Sequence, residues 1–131
     1  MTHSEPWITL GVTHEQCAKA CLDPEHLVYI SHRREQPSGL IILDRYGLAG
    51  SPYIKSVCID HGARGRGIGA ALVGFAENLF CAESKHIFLC VSSFNTRAKI
   101  FYERIGYHQV GEFKDYIRDG VSELLMYKRL T

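Results

Sequence analysis

The chain has 131 residues, 46% of them hydrophobic and 22% charged, with a formal net charge of +1 at pH 7. That length holds one domain with a core of its own, not two. Near-neutral charge argues against a nucleic-acid arm or an acidic disordered tail, and no apolar run is long enough to span a bilayer.

In chain order, residues 13–22 read as a short helix, with Thr13 as cap and Pro24 beyond its end. Residues 27–32 and 40–43 are strands of an antiparallel hairpin, joined by a charged loop that ends in Pro37-Ser38-Gly39. A further strand over residues 53–60 feeds a glycine-rich loop. Ile68, Ala71, Leu72, Phe75, Ala76, Leu79 and Phe80 then mark one apolar helix face. A buried strand follows over residues 87–91. Asn95 suits the N-cap of the next helix and Gly106 its end, while Ala98, Phe101, Tyr102 and Ile105 recur at helical spacing. Residues 107–113 and 124–130 supply two last strands. The pattern predicts one α/β (α+β) domain over residues 1–131.

The polar start Met1-Thr2-His3-Ser4-Glu5-Pro6 lacks a secretory apolar stretch, so a cytoplasmic protein is expected. The five cysteines are odd in number and form no C-x-x-C pair, and four sit in apolar stretches, as free core thiols do. Cys17 and Cys21 share a helix face near His14, but no fourth ligand is in view and no metal is expected.

The most informative run is Arg64-Gly65-Arg66-Gly67-Ile68-Gly69, between a strand and a helix. Free N–H groups at a helix start, an aligned dipole and two arginines favour a phosphate or pyrophosphate. A Walker loop would need a following Lys-Ser/Thr pair, which is missing. In the dinucleotide fingerprint the third glycine comes one residue later and an acid ends the next strand; here neither holds.

Arg64, Gly67 and Gly69, as Arg-x-x-Gly-x-Gly, resemble the coenzyme A loop of the GNAT N-acetyltransferases. The segment Asn95 to Tyr107 resembles the same family's later signature, Asn-x-x-Ala-x-x-Phe-Tyr-x-x-x-Gly-Phe/Tyr. The resemblance covers roughly residues 27–130. It implies a GNAT fold: a mixed, mostly antiparallel sheet of about six strands, with splayed central strands, helices on its faces and an abbreviated N-terminus. It also implies acetyl-CoA as cofactor, its pyrophosphate on the amides of Arg64, Gly65, Arg66, Gly67, Ile68, Gly69 and Ala70. The pantetheine arm would run along Val57, Cys58 and Ile59, with Asn95, Ala98 and Tyr102 near it. An amine attacks the thioester directly in such enzymes. A backbone N–H near Cys58 or Ile59 would meet the oxyanion, and Tyr102 would be the acid that protonates the leaving thiolate.

The base is where the sequence departs from the family. Many relatives carry a Glu near the place of Tyr53, and the ribosomal-protein N-terminal acetyltransferases carry one at the position of Cys90, a poor base unless its pKa is lowered. Asp44, Asp115, Asp119, His61 or a water chain remain as candidates. About 26 residues precede the first core strand, which would leave the acceptor groove open or closed by a partner subunit in a homodimer. Trp7 would plug the core or contact such a partner. The 114–120 loop should border the groove. The expected acceptor is a small-molecule amine; the alternatives are a protein N-terminus or lysine, and a non-catalytic acetyl-CoA sensor.

Overall fold

The computed structural model describes residues 14–131; the Pro6 to Leu10 segment and Trp7 lie outside them, as do the side chains of His14 and Cys17. Three α-helices and six strands follow in the order α1 (His14–Leu22), β1 (His26–Arg33), β2 (Gln36–Leu48), β3 (Ser51–Ile59), α2 (Ile68–Phe80), β4 (His86–Ser92), α3 (Thr96–Arg104), β5 (His108–Arg118) and β6 (Val121–Arg129). A 3₁₀ turn, His61–Ala63, joins β3 to the glycine loop. The strands form one sheet in the order β1-β2-β3-β4-β6-β5, with β3 and β4 parallel and every other pair antiparallel. This is the expected mixed architecture.

The first hairpin differs from expectation. Its turn is Arg34-Glu35, with φ of 52° and 64°, so the chain reverses in two residues. That left-handed pair is the turn whose twist suits a hairpin, although the glycine and asparagine that usually announce it are missing. Gln36, Pro37, Ser38 and Gly39 therefore belong to β2, not to a loop. Proline is accommodated because Ser31 pairs with Gly39 while His32 pairs with Pro37, leaving Ser38 as a bulge. Likewise, most of the expected 114–120 loop is strand: β5 runs to Arg118, with Asp115 at φ 52° where its ladder breaks.

The core lies between one face of the sheet and α2. Ile41, Leu43, Ile54, Ile87, Leu89 and Met126 meet Leu72, Val73, Ala76 and Phe80, with Tyr102 and Ile105 packed at the margin. Burial of such side chains is worth about 1.5–3 kcal/mol each. Lys128 closes the far end: its Nζ donates to Glu77 at 3.0 Å and to the Ile105 carbonyl at 2.8 Å, and the Tyr107 hydroxyl donates to Glu77 at 2.8 Å.

Two irregularities position the site. Ile42 pairs with Ser56 but Leu43 with Ile54, so Lys55 is an extra residue on β3. The bulge resets the alternation, and Ile54, Val57 and Ile59 all meet the same core. Beyond it, β3 and β4 part: their only paired positions are Tyr53 with Phe88 and Ile54 with Leu89. The rest of β3 keeps β2 on one edge and, among the described residues, has no strand on the other.

Candidate active site

The parted strands open a cleft of about 1310 Å³. At one end stands the glycine loop. Gly67 caps α2 at φ 75°, where an L side chain is strained, and a Cβ there would meet nothing within 4 Å. Ala71 N–H is the first to find an intrahelical acceptor, the Gly67 carbonyl at 3.0 Å. The N–H groups of Ile68, Gly69 and Ala70 thus lack intrahelical partners and converge on that open space. Arg64 also lines the cleft, with Nε 3.4 Å from the Ile59 carbonyl. Arg66 does not. It borders a separate hollow of about 600 Å³ with Tyr29, His32, Arg33 and Phe75.

The middle of the cleft is the unpaired edge of Val57, Cys58 and Ile59, faced by Asn95, Ala98 and Tyr102 from α3. Asn95 caps that helix, its Oδ1 accepting from Ala98 N–H at 3.2 Å, which leaves its NH₂ to donate elsewhere. The Tyr102 ring packs edge-on against Phe101 and Tyr107, with centroids 5.0 and 5.8 Å away. Burial pushes its hydroxyl well above the usual tyrosine range, so it stays protonated.

Beyond the gap lies a polar pocket made by four strands. Tyr53 and Cys90 sit side by side, both pushed up chiefly by burial. Ser92 Oγ donates to Glu123 Oε1 at 2.7 Å. Glu123 is the sole acid among the described residues that line the cleft, and Phe94, Phe113, Tyr116 and Ile117 rim it with partly exposed apolar surface. Burial raises the Glu123 pKa, offset in part by the Ser92 hydrogen bond.

No local sequence signal marks Glu123, the third residue of β6 and 31 residues from its partner Ser92. The candidate acids Asp44, Asp115 and Asp119 stand elsewhere. Asp44 lies on β2 and accepts from Tyr46 N–H at 3.1 Å; Asp115 accepts from Gly120 N–H at 2.8 Å and so ties the last turn; Asp119 is exposed in that turn. None of the three lines the cleft, and His61 does so at the glycine-loop end. The cysteines also depart from expectation. Cys58 and Cys90 line the cleft, and Cys81 is exposed with its thiol 3.3 Å from the Asn78 carbonyl. Among the described residues no group of three metal-ligating side chains occurs, and no helix is long and apolar enough to cross a membrane.

A gap between parallel strands, with backbone amides at one end and a buried tyrosine hydroxyl midway, is built to hold an extended phosphorylated ligand. Residues 7–130 match the acetyltransferase (GNAT) domain, and the chain belongs to that family. It is 35% identical over 82 residues to an uncharacterized N-acetyltransferase of Methanocaldococcus jannaschii, covering 61% of this chain and 53% of that protein. It is 32% identical, also over 82 residues, to blasticidin-S acetyltransferase of Streptomyces morookaense, covering 60% of this chain and 57% of that one. The match thus spans little more than half the length of these relatives. The fold is that of nourseothricin acetyltransferase (TM-score 0.75, 22% identity, 83% of this chain and 68% of that one). It is equally that of the ribosomal-protein-S18-alanine N-acetyltransferase of Escherichia coli (TM-score 0.75, 14% identity, 91% and 78%).

Proposed function

We propose that this chain is an acetyl-CoA-dependent N-acetyltransferase that acts on a primary amine of a small molecule. One arrangement carries the reading: the glycine loop, the unpaired edge of β3 and the Tyr102 hydroxyl line a single continuous cleft. The residues suit the coenzyme. The amides of Ile68, Gly69 and Ala70, with Arg64, hold a pyrophosphate. The free edge of Val57, Cys58 and Ile59 offers backbone groups to the pantetheine amides, as a sheet edge does to an added strand. Asn95 contributes its remaining NH₂ donors.

When bound, acetyl-CoA supplies the activated acetyl group as a thioester. A backbone N–H of Cys58 or Ile59 stabilises charge that develops on the carbonyl oxygen. Tyr102 donates a hydrogen bond to the leaving sulfur. Its raised pKa makes it a weak acid but a dependable donor, so it acts on the sulfur as negative charge builds there.

A small-molecule acceptor is favoured by the relative that bears the name blasticidin-S acetyltransferase. Cys90, where the ribosomal type has its Glu, counts against a protein N-terminus. The test is thiol release from acetyl-CoA with blasticidin S, nourseothricin, kanamycin, spermidine and peptide amines. Release with one of the small amines is expected. Release with peptides alone would replace the acceptor class, and acetyl-CoA binding without release would indicate a sensor.

A further inference from the structure

We propose that Glu123 is the residue that holds the acceptor's ammonium group and removes its proton, with Ser92 as the positioning residue that fixes the carboxylate. The proposal rests on the acetyltransferase reading above and names the base that the sequence leaves open. The argument begins with the register. Glu123 pairs with Ser92 of β4 on one side and with Phe113 of β5 on the other, so β6 delivers it into the pocket beyond the β3–β4 gap. Ser92 is itself buried, and its hydroxyl bond at 2.7 Å holds one carboxylate oxygen. Among the described residues Glu123 makes no other hydrogen bond, so its second oxygen is left to bind what enters the cleft.

Charge leads to the same residue. No other acid among the described residues lines the cleft. The titratable groups that interact with Glu123 are Tyr53 on β3 and Cys90 on β4, and Tyr116 on β5 lines the same cleft. Burial drives the Tyr53 and Cys90 pKa values up, so both remain neutral and neither competes with Glu123 for a cation. Partial burial makes the carboxylate a better proton acceptor than an exposed one. The aromatic rim of Phe113 and Tyr116 suits a cation carried on an apolar or planar body.

The proton balance is simple. The ammonium gives one proton to Glu123, and the freed nitrogen lone pair forms the C–N bond as the C–S bond breaks. The departing sulfur, hydrogen-bonded by Tyr102, takes up one proton relayed from solvent through that hydroxyl, while Glu123 and the new amide each return a proton to solvent. The net change is ammonium plus acetyl-CoA to amide, coenzyme A and one proton.

The experiment compares the wild-type chain with Glu123→Gln, using the first amine of the panel that supports thiol release. The variant keeps the shape, can still accept from Ser92, and removes a half-buried charge, so it should fold. Expected are unchanged acetyl-CoA affinity and a fall of about a hundredfold in kcat/KM near neutral pH. The deficit should shrink about tenfold per pH unit towards the amine's own pKa, where solvent replaces the base. By calorimetry without coenzyme, the same amine should bind the variant at least tenfold more weakly. A variant within twofold of wild type in both rate and amine affinity overturns the assignment and leaves the acetyltransferase reading intact. A rate loss that is equal at all pH values reduces Glu123 to a structural part and also overturns it. Wild-type acetyl-CoA binding with no release on any amine overturns both. Ser92→Ala, which frees the carboxylate without deleting it, should lower kcat/KM less than Glu123→Gln; an equal or greater loss contradicts the division of roles.

Discussion

Gly69 on α2 lies directly under Phe101 on α3: a Cβ at position 69 would sit 3.3 Å from Phe101 Cζ and 3.9 Å from Ile59 Cγ1. The last glycine of the loop is thus where two helices and the end of β3 meet, and loop geometry depends on that contact. Gly69→Val should destabilise the protein by about 1–3 kcal/mol through overpacking and should weaken acetyl-CoA binding as the loop shifts. Urea denaturation and calorimetry check both. Full stability with unchanged affinity would mean that Phe101 yields freely.

Gly67 is glycine for a different reason. It has φ 75° and open space about its Cβ position, so substitution there meets strain but no clash. Gly67→Ala should cost about 1–2 kcal/mol of stability. Gly67→Glu adds a negative charge at the amides proposed to hold the phosphate and should raise the acetyl-CoA Kd by tenfold or more. Calorimetry of the two variants separates strain from charge. Equal affinity in Gly67→Glu and Gly67→Ala would remove the phosphate from this end of the cleft.

Tyr102→Phe keeps the ring packing against Phe101 and Tyr107 and deletes only the hydroxyl. Acetyl-CoA affinity should hold while kcat falls on the order of a hundredfold. Unchanged turnover would leave Tyr102 as packing alone.

Three tyrosines, Tyr53, Tyr102 and Tyr107, have hydroxyls pushed above their ordinary range, each chiefly by burial, with Glu77 adding to the effect at Tyr107. The sign follows from linkage. A raised folded pKa means that the folded state keeps a proton which the unfolded chain gives up above about pH 10. Stability is therefore full below that pH and declines as pH rises past it, by about 1.4 kcal/mol per pH unit for each such group. Urea midpoints from pH 8 to 11 should show the decline, and Tyr107→Phe should reduce its slope by about a third. A flat wild-type profile would show that these hydroxyls titrate normally.

The parts legible in the sequence were those whose meaning is local. The glycine loop and the Asn95 to Tyr107 segment are contiguous, because a helix N-terminus and a capped helix each place neighbouring residues at one point in space. Strand identities came from apolar runs, but their ends did not. Arg34-Glu35 makes a hairpin turn without the usual turn residues, since the long β1–β2 ladder on either side holds both residues at positive φ. Lys55 as a bulge left one trace, the three-residue step from Ile54 to Val57 in a strand that otherwise steps by two.

By itself the sequence carried the resemblance to the family, and with it the candidate coenzyme loop and the acid candidate Tyr102, because each motif is contiguous along one helix or turn. Only the tertiary structure decided which carboxylate reaches the cleft. Asp44, Asp115 and Asp119 are spent in local turns or solvent, and Arg66 is turned to a separate hollow. Glu123 is brought to Ser92 by strand register between segments 31 residues apart. Register is fixed by which face of each strand must be buried, and a one-residue slip would send Glu123 to the opposite face. No single stretch of chain contains that information.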